Sequence, residues 1–449
     1  YLAKLNRFSK ESLDKEELLD HTILTNALAS SVKSFEEIRG WEKDPAFYGQ
    51  VVIYGVFILA IREFAPLRTR LKSILSRLRQ APRVLEEGRA NLKGSPEVFT
   101  KVGIEVTESG IQFLQGLIPT LAEKVPELRA ELLKANEQAL VALESYLQFL
   151  KAEYLPKSKG EFAIGRELFN FKLKTDHILP YDAEDLLGIG KKVFRETERE
   201  LEAVARTVKG GRDWHEIVDL LKREHPDGDG LLGFYQKEME KARRFTEEQG
   251  LATIPKGEEL EIMPTPVFER PTIPYAAYMP PAPFEERQKG LFYVTPVDEK
   301  LPPPVQEDQL RGHSIYKIPI TALHEGYPGH HLQLVHSNRN PSKVRRMFGT
   351  SVFAEGWALY CEELMYDLGY YSDPRVRLMQ LKDQLWRAAR VIIDVSLHTK
   401  GMLFEEAVDF LVDKARLERV NAISEVKRYC STPTQPMSYA VGKLEIMKL

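Results

Sequence analysis

Over most of the chain, apolar residues recur at intervals of three and four, the spacing that puts them on one face of a helix. In Val125–Leu155 the positions Leu128, Leu132, Leu133, Ala139, Leu140, Leu143, Tyr146, Leu147 and Leu150 follow that rule and predict a long amphipathic helix. A second helix is predicted from Ala183, with Asp182 or Tyr181 before it, through Leu201 to about Val208, where Gly210-Gly211 ends it. The longest apolar run, Val51–Ile61, has 11 residues. That is too short to span a bilayer and reads as a buried helix. Between Arg62 and Lys93, basic residues interleave with Leu and Ile at helical spacing, the pattern of solvated helix faces.

The texture changes between Pro264 and Pro304, which hold eleven of the 27 prolines together with Tyr275, Tyr278, Phe284, Phe292 and Tyr293. Proline lacks the N–H that a helix needs, so this segment is expected to be extended or looped. The run Gly290–Pro296 reads as a short strand, placed at a sheet edge because proline brackets it. From about Ser314 the helical pattern returns. The expected fold is therefore mainly α, with a small β element near residues 264–304. The expected division is an N-terminal helical region, residues 1–260, and a metal-binding catalytic region, residues 261–449, with a cleft between them.

Composition narrows the function classes. Of 449 residues, 43% are hydrophobic and 29% charged, and the net charge is -3. These are values of an ordinary globular protein, with no global field that favours nucleic acid or an anionic membrane, so neither partner is expected. Cys361 and Cys430 are too few for a disulfide framework or a cysteine zinc site. The first residue is Tyr1, which leaves two expectations open: a soluble cytoplasmic protein, or one exported after removal of a signal. Nothing in the pattern fixes the oligomeric state.

Four of the ten histidines fall between His324 and His336, in His324-Glu325-Gly326-Tyr327-Pro328-Gly329-His330-His331 and the residues after it. In H-E-x-x-H, two histidines one helical turn apart grip zinc, and the glutamate between them takes a proton from the activated water. Here the fourth residue after His324 is Pro328. On a regular helix His330 lies about 120° off the required face, and His331 is on that face but about 10.5 Å along the axis. One metal can be shared only if the helix is interrupted. Pro328 removes a hydrogen bond to His324, while Gly326 and Gly329 tolerate a bulged turn. His330 is the favoured second ligand; His331 is the competing choice, or else faces the substrate.

A catalytic zinc takes three protein ligands and keeps one position open. Glu355, in Phe353-Ala-Glu-Gly-Trp-Ala-Leu-Tyr360, is the best third candidate. It is an acidic residue within an apolar stretch, between small residues that let helices approach closely. Its alternative role is a cap or salt bridge. Glu362 and Glu363, two turns on, are expected to lie too far away.

HEGYPGHH, EGWALY and the terminal SYAVG resemble a bacterial family, domain of unknown function 885, from roughly Pro264 to the C-terminus. That family resembles in turn the all-helical gluzincin peptidases, in which H-E-x-x-H is followed by a downstream glutamate ligand. The resemblance implies a large all-helical, zincin-like architecture, one Zn2+ ion on His324, His330 and Glu355, and Glu325 as the base. Two extra residues after Glu325 depart from the peptidase pattern.

The expected activity is zinc-dependent hydrolysis of a peptide or small amide, of carboxypeptidase or oligopeptidase type. The alternative is a non-catalytic helical binding protein with a structural or vestigial metal. An oxyanion donor is also needed. Tyr439 is one candidate and His398 another. His398 belongs to a polar stripe, Arg387, Arg390, Asp394 and His398, on a helix at Leu381–His398 that is otherwise apolar. As a cleft wall, this stripe offers an arginine fork to a peptide's C-terminal carboxylate; as a surface, it offers an Arg390–Asp394 ion pair. His313 and Tyr316, with Tyr275, Tyr278 and Tyr293, are further candidates for lining the substrate site, and Leu291–Thr295 for pairing with an extended peptide.

Overall fold

The computed structural model describes all residues except 210–212, 271–272 and 274. The chain is mainly helical with a small three-stranded sheet among the described residues. Packing divides it into two units: Tyr1–Ser31, Ala163–Thr265 and Ile273–Leu449 form one, and Val32–Phe162 with Pro266–Thr272 form the other. The boundary expected at residue 260 is therefore not a packing boundary. Residues 163–265 pack with the C-terminal residues, and every candidate site residue named above lies within that one unit.

The smaller unit contains four long helices: α1 (Pro45–Ile61), α2 (Leu67–Asn91), α3 (Glu97–Glu123) and α4 (Arg129–Gln148). Its core is the predicted apolar stripe of α4, including Leu132, Ala139, Leu143 and Tyr146, closed against Leu71, Ile74 and Leu78 of α2 and Leu114 and Ile118 of α3. The 11-residue apolar run becomes part of α1, with Val52, Ile53, Val56 and Phe57 buried. From the proline-rich segment, Phe268 enters the same core and meets Phe57 and Phe113 with ring centroids 5.2 and 5.0 Å apart.

In the larger unit, α5 (Ala183–Lys209) begins where the sequence predicted, with Asp182 accepting from the backbone of Glu184 and Asp185. Its expected stop at Gly210-Gly211 lies outside the described residues. After α6 (Leu231–Glu248) come the strands β1 (Glu258–Pro264), β2 (Ala276–Met279) and β3 (Gln288–Val294). The strand read at Gly290–Pro296 is thus present as β3, but it is central and not an edge: it pairs parallel with β1 and antiparallel with β2. Pro296 lies past the strand's end, so every residue of β3 keeps its N–H, and both sides of the strand can pair. Strand addition by a peptide at Leu291–Thr295 is excluded, because both of its edges are taken.

Further helices of this unit are α7 (Ile318–Glu325), α8 (His330–Ser337), α9 (Ser351–Asp367), α10 (Pro374–Thr399), α11 (Phe404–Ala415), α12 (Arg419–Ser431) and α13 (Ser438–Ile446), and all but α11 bear on the candidate site. One core cluster joins α6, β3, α7 and α8 through Tyr235, Met239, Phe292, Ile318, Ala322 and Leu332. Helix α10 is buried nearly all round, including its charged residues. Helices α9 and α13 touch backbone to backbone. A Cβ built on Gly442 would lie 1.9 Å from the Val352 carbonyl oxygen, and one on Gly356 would lie 2.3 Å from the Gly442 carbonyl carbon.

That contact predicts a loss of about 2–3 kcal/mol in stability for Gly442→Ala, the scale of overpacking a rigid neighbour. Gly188 of α5, exposed and with nothing within 4 Å of a built Cβ, should instead gain up to about 1 kcal/mol as alanine. Denaturant titrations of both variants against the parent check the pair. Equal stability of Gly442→Ala and parent would remove the close-packing account.

Candidate metal centre

The interruption predicted in the histidine segment is present. Helix α7 stops at Glu325, and α8 starts at His330. The four residues between them, with a cis Tyr327-Pro328 bond, fold back so that the Gly329 N–H donates to the Leu323 carbonyl at 3.1 Å. A side chain at Gly329 has no room, since its Cβ would fall 1.9 Å from the His324 carbonyl oxygen. At Gly326 a Cβ would fall 1.9 Å from Met239 Sδ. Trp357 of α9 fastens this turn by donating its indole N–H to the Pro328 carbonyl at 2.9 Å.

The fold-back brings the His324 and His330 rings to 4.9 Å, edge to face. Glu355, one turn into α9, meets His330 Nε2 at 3.1 Å. One ligand atom each from His324, His330 and Glu355 lies within 4.8 Å of the others, so the three can hold one metal ion. Tetrahedral zinc ligands sit roughly 3.4 Å apart, and a small contraction of this trio reaches that spacing. His324 and His330 are buried, and Glu355 is the most exposed of the three.

Electrostatics fit the donor set. Burial pushes His324 down to about 3, so it is neutral, the form that binds metal. Burial also opposes charge on His330, but the Glu355 carboxylate outweighs it and raises the pKa. Glu355 in turn is held down to about 2: burial would raise it, and His330 and then His324 more than compensate. Glu325 ends α7 beside both imidazoles, and its charge favours their protonated forms.

The question of His330 against His331 is decided by contacts. His331 is fully buried, with Nε2 at 2.5 Å from Glu258 and Nδ1 at 2.9 Å from the Tyr278 hydroxyl. Both ring nitrogens are used, so His331 neither joins the trio nor faces a substrate. Its partner Glu258 also accepts from Tyr327 and pairs with Arg243, which ties β1 to the interrupted turn.

Glu362 was judged too far from the metal, and it is not among the three possible ligands. Yet it lies 2.8 Å from His324 Nδ1, fixing the ring so that Nε2 is the atom left for a metal. It sits seven residues after Glu355, two turns along the same face, and that spacing was the available signal. Gln435, with no such signal, donates to the other Glu355 oxygen at 3.3 Å.

The polar stripe of α10 splits. Arg387 and Arg390 lie with their guanidinium carbons 6.0 and 4.4 Å from the Tyr439 ring, and that ring is 6.3 Å from the His324 ring and nearly parallel to it. Tyr439 therefore stands beside the trio. Burial and then Glu355 raise its pKa, so the hydroxyl keeps its proton. His398 does not join it: Nε2 meets the Tyr429 carbonyl at 3.0 Å, and the ring stacks on Phe169. The Arg390–Asp394 pair is not formed either. Arg390 bonds Tyr429 and Glu425, and Asp394 accepts from the backbone of Thr434 and Met437. On a helix enclosed all round, successive turns of one stripe meet different neighbours, and the regular spacing could not tell them apart.

Other expected lining residues are occupied elsewhere. His313 is buried against the Tyr235 hydroxyl at 3.1 Å, and burial lowers its pKa to about 3. Tyr293 is buried in β3, with its hydroxyl toward Met279 Sδ at 3.9 Å. Tyr316 is held between Glu224 and Arg375, and Tyr275 donates to Glu418. Of these aromatics Tyr278 alone reaches the trio, lying parallel to His330 at 6.5 Å.

Two solved structures share this fold. A candidate lipoprotein of unknown function from Shewanella oneidensis is 25% identical and superposes with a TM-score of 0.74, covering 99% of this chain and 83% of its own. A candidate lipoprotein from Colwellia psychrerythraea is 17% identical with a TM-score of 0.70, covering 87% and 71%. No curated protein matches the chain. The model of the bacterial proteins of unknown function called DUF885 matches residues 1–449, and the chain belongs to that family.

Proposed function

We propose that the protein is a zinc-dependent hydrolase of the metallopeptidase type. The observation that carries this reading is the convergence of His324, His330 and Glu355 across an interrupted helix, with Glu325 directly beside the first ligand. Two imidazoles and one carboxylate are a donor set suited to zinc with an open position. A zinc ion bound there supplies an acidified water and polarises the scissile carbonyl.

The chain's own residues do the rest. Glu325 accepts the water's proton and delivers it to the leaving amine. Tyr439, still protonated and with its ring 6.3 Å from that of His324, is the donor for the developing oxyanion. Glu362 orients His324, and Gln435 orients Glu355. A purely structural metal needs no base beside its first ligand, so Glu325 favours the enzyme over a non-catalytic binding protein. Among the described residues no single helix is long and apolar enough to cross a membrane. The lipoprotein descriptions of the two similar structures support the exported location over the cytoplasmic one.

Three measurements test the reading. Glu325→Gln should retain one zinc per chain while hydrolysis of a mixed peptide library falls by roughly 10²–10⁴-fold; activity equal to the parent on those peptides would sink the mechanism. Glu362→Gln should weaken zinc binding by about 10–100-fold in a chelator competition, and unchanged affinity would deny it the orienting role. Because Glu355 raises His330 above its ordinary 6.5, the metal-free ring is mostly protonated at pH 6.5, and zinc must displace that proton. Calorimetric titration at pH 6.5 should show heats that depend on the buffer's ionisation enthalpy, in the sense of proton release. Buffer-independent heats would mean that zinc does not replace the His330–Glu355 pairing.

A further inference from the structure

The middle of α10 gathers buried positive charge. Lys222, Lys317, Lys382, Arg387 and Arg390 are each at most 9% exposed; Asp383, Glu418 and Glu425 pair with four of them, and Glu362 and Glu355 act on Arg387 and Arg390 through their charge. Lys222 pairs with Glu418 at 2.7 Å, Lys382 with Asp383 at 3.2 Å and Arg390 with Glu425 at 2.9 Å. Arg387 reaches only Asp383, which Lys382 already holds. Lys317 is answered through space by the charges of Asp383 and then Glu418, and its ammonium lies 3.8 Å from the Tyr275 ring centroid. Four of these cations surround one indole: Arg390, Arg387, Lys382 and Lys317 stand 4.2, 4.6, 5.6 and 5.8 Å from the Trp386 ring.

Two guanidinium nitrogens in this group, Arg387 Nε and Arg390 Nη1, are buried without a hydrogen-bond partner. A charged donor left this way is costly, and such groups are met by a water, an ion or a ligand. Both arginines lie over Tyr439, which is one ring away from His324. These two free donors therefore stand one ring from the metal trio.

We infer that Arg390 and Arg387 receive a substrate carboxylate, and that the substrates are peptides cut near a free C-terminus. The inference rests on the hydrolase reading for the cut and on the arginines alone for the carboxylate. A guanidinium offers planar paired donors that match a carboxylate. Arg428 also pairs with Glu425, so the carboxylate keeps a partner when Arg390 is replaced.

The test is affinity selection on zinc-loaded full-chain Glu325→Gln protein, using random N-acetyl tripeptides made as free acids and as C-terminal amides. Free acids should be retained at least tenfold over amides. Arg390→Met on the same background should abolish that preference, and Arg387→Gln should reduce it, with zinc content and circular dichroism unchanged. Equal retention of acids and amides, retention of neither pool, or a preference that survives both arginine replacements would overturn the carboxylate site. Acid preference in the Glu325→Gln protein, beside a zinc-loaded parent that cleaves neither pool, would instead overturn the hydrolase reading and leave the anion site standing. Zinc-loaded parent that cleaves acids and amides alike would do the reverse.

Discussion

Everything at the metal centre depends on how closely the chain can fold back between His324 and His330. A continuous helix holds these two rings about 120° apart, and no side-chain rotation closes that gap. The fold-back closes it by laying Gly329 against the His324 carbonyl, at a distance where any Cβ would overlap it. Gly326 makes the same concession to Met239. The turn is then held from outside, by Trp357 on the Pro328 carbonyl and by Tyr327 on Glu258. Bringing two imidazoles together thus depends on two absent side chains and on two aromatic residues that come from, or reach to, different elements.

A second close contact sets the other half of the site. Helices α9 and α13 meet at Gly356 and Gly442, each pressed on the other's backbone. Glu355 precedes the first of these glycines, and Tyr439 lies three residues before the second. The backbone contact therefore fixes the carboxylate and the phenol relative to each other, and both relative to His324. Small residues next to Glu355 have no catalytic chemistry of their own. Their contribution is the approach distance.

Much of this could be read in the chain before any coordinates, and the reason is locality. Helix periodicity, the break at Pro328 and the glycines around it act within a few residues, so the interruption that brings His324 and His330 together was legible, and Glu355 stood out as an acidic residue in an apolar stretch. What escaped depends on distant partners. His331 and His330 are adjacent and chemically alike; Glu258 and Tyr278, 73 and 53 positions away, take one of them out of the site. Glu362 is two turns from Glu355, too far to share its metal, and that spacing does not say which ring nitrogen of His324 the carboxylate holds. The strand at Gln288–Val294 was legible as a strand, but its central position was not, since β1 and β2 flank it from either side of the Phe268 segment.

Helix α10 shows why a polar stripe underdetermines a site. Arg387, Arg390, Asp394 and His398 share one direction along the helix, yet only the first two look toward Tyr439. Asp394 is turned to the backbone of 434–437, where it anchors the approach to α13, and His398 to the end of α12. Burying such charges is costly, and pairing alone rarely makes it favourable compared with an apolar helix. The Asp394 end repays that cost by organising the segment that presents Tyr439. The arginine end keeps donors in reserve, stacked on Trp386 and Tyr439, whose faces partly offset the loss of water. Along one helix, the turns that are fully satisfied build the site, and the turns that are not are left to meet what enters it.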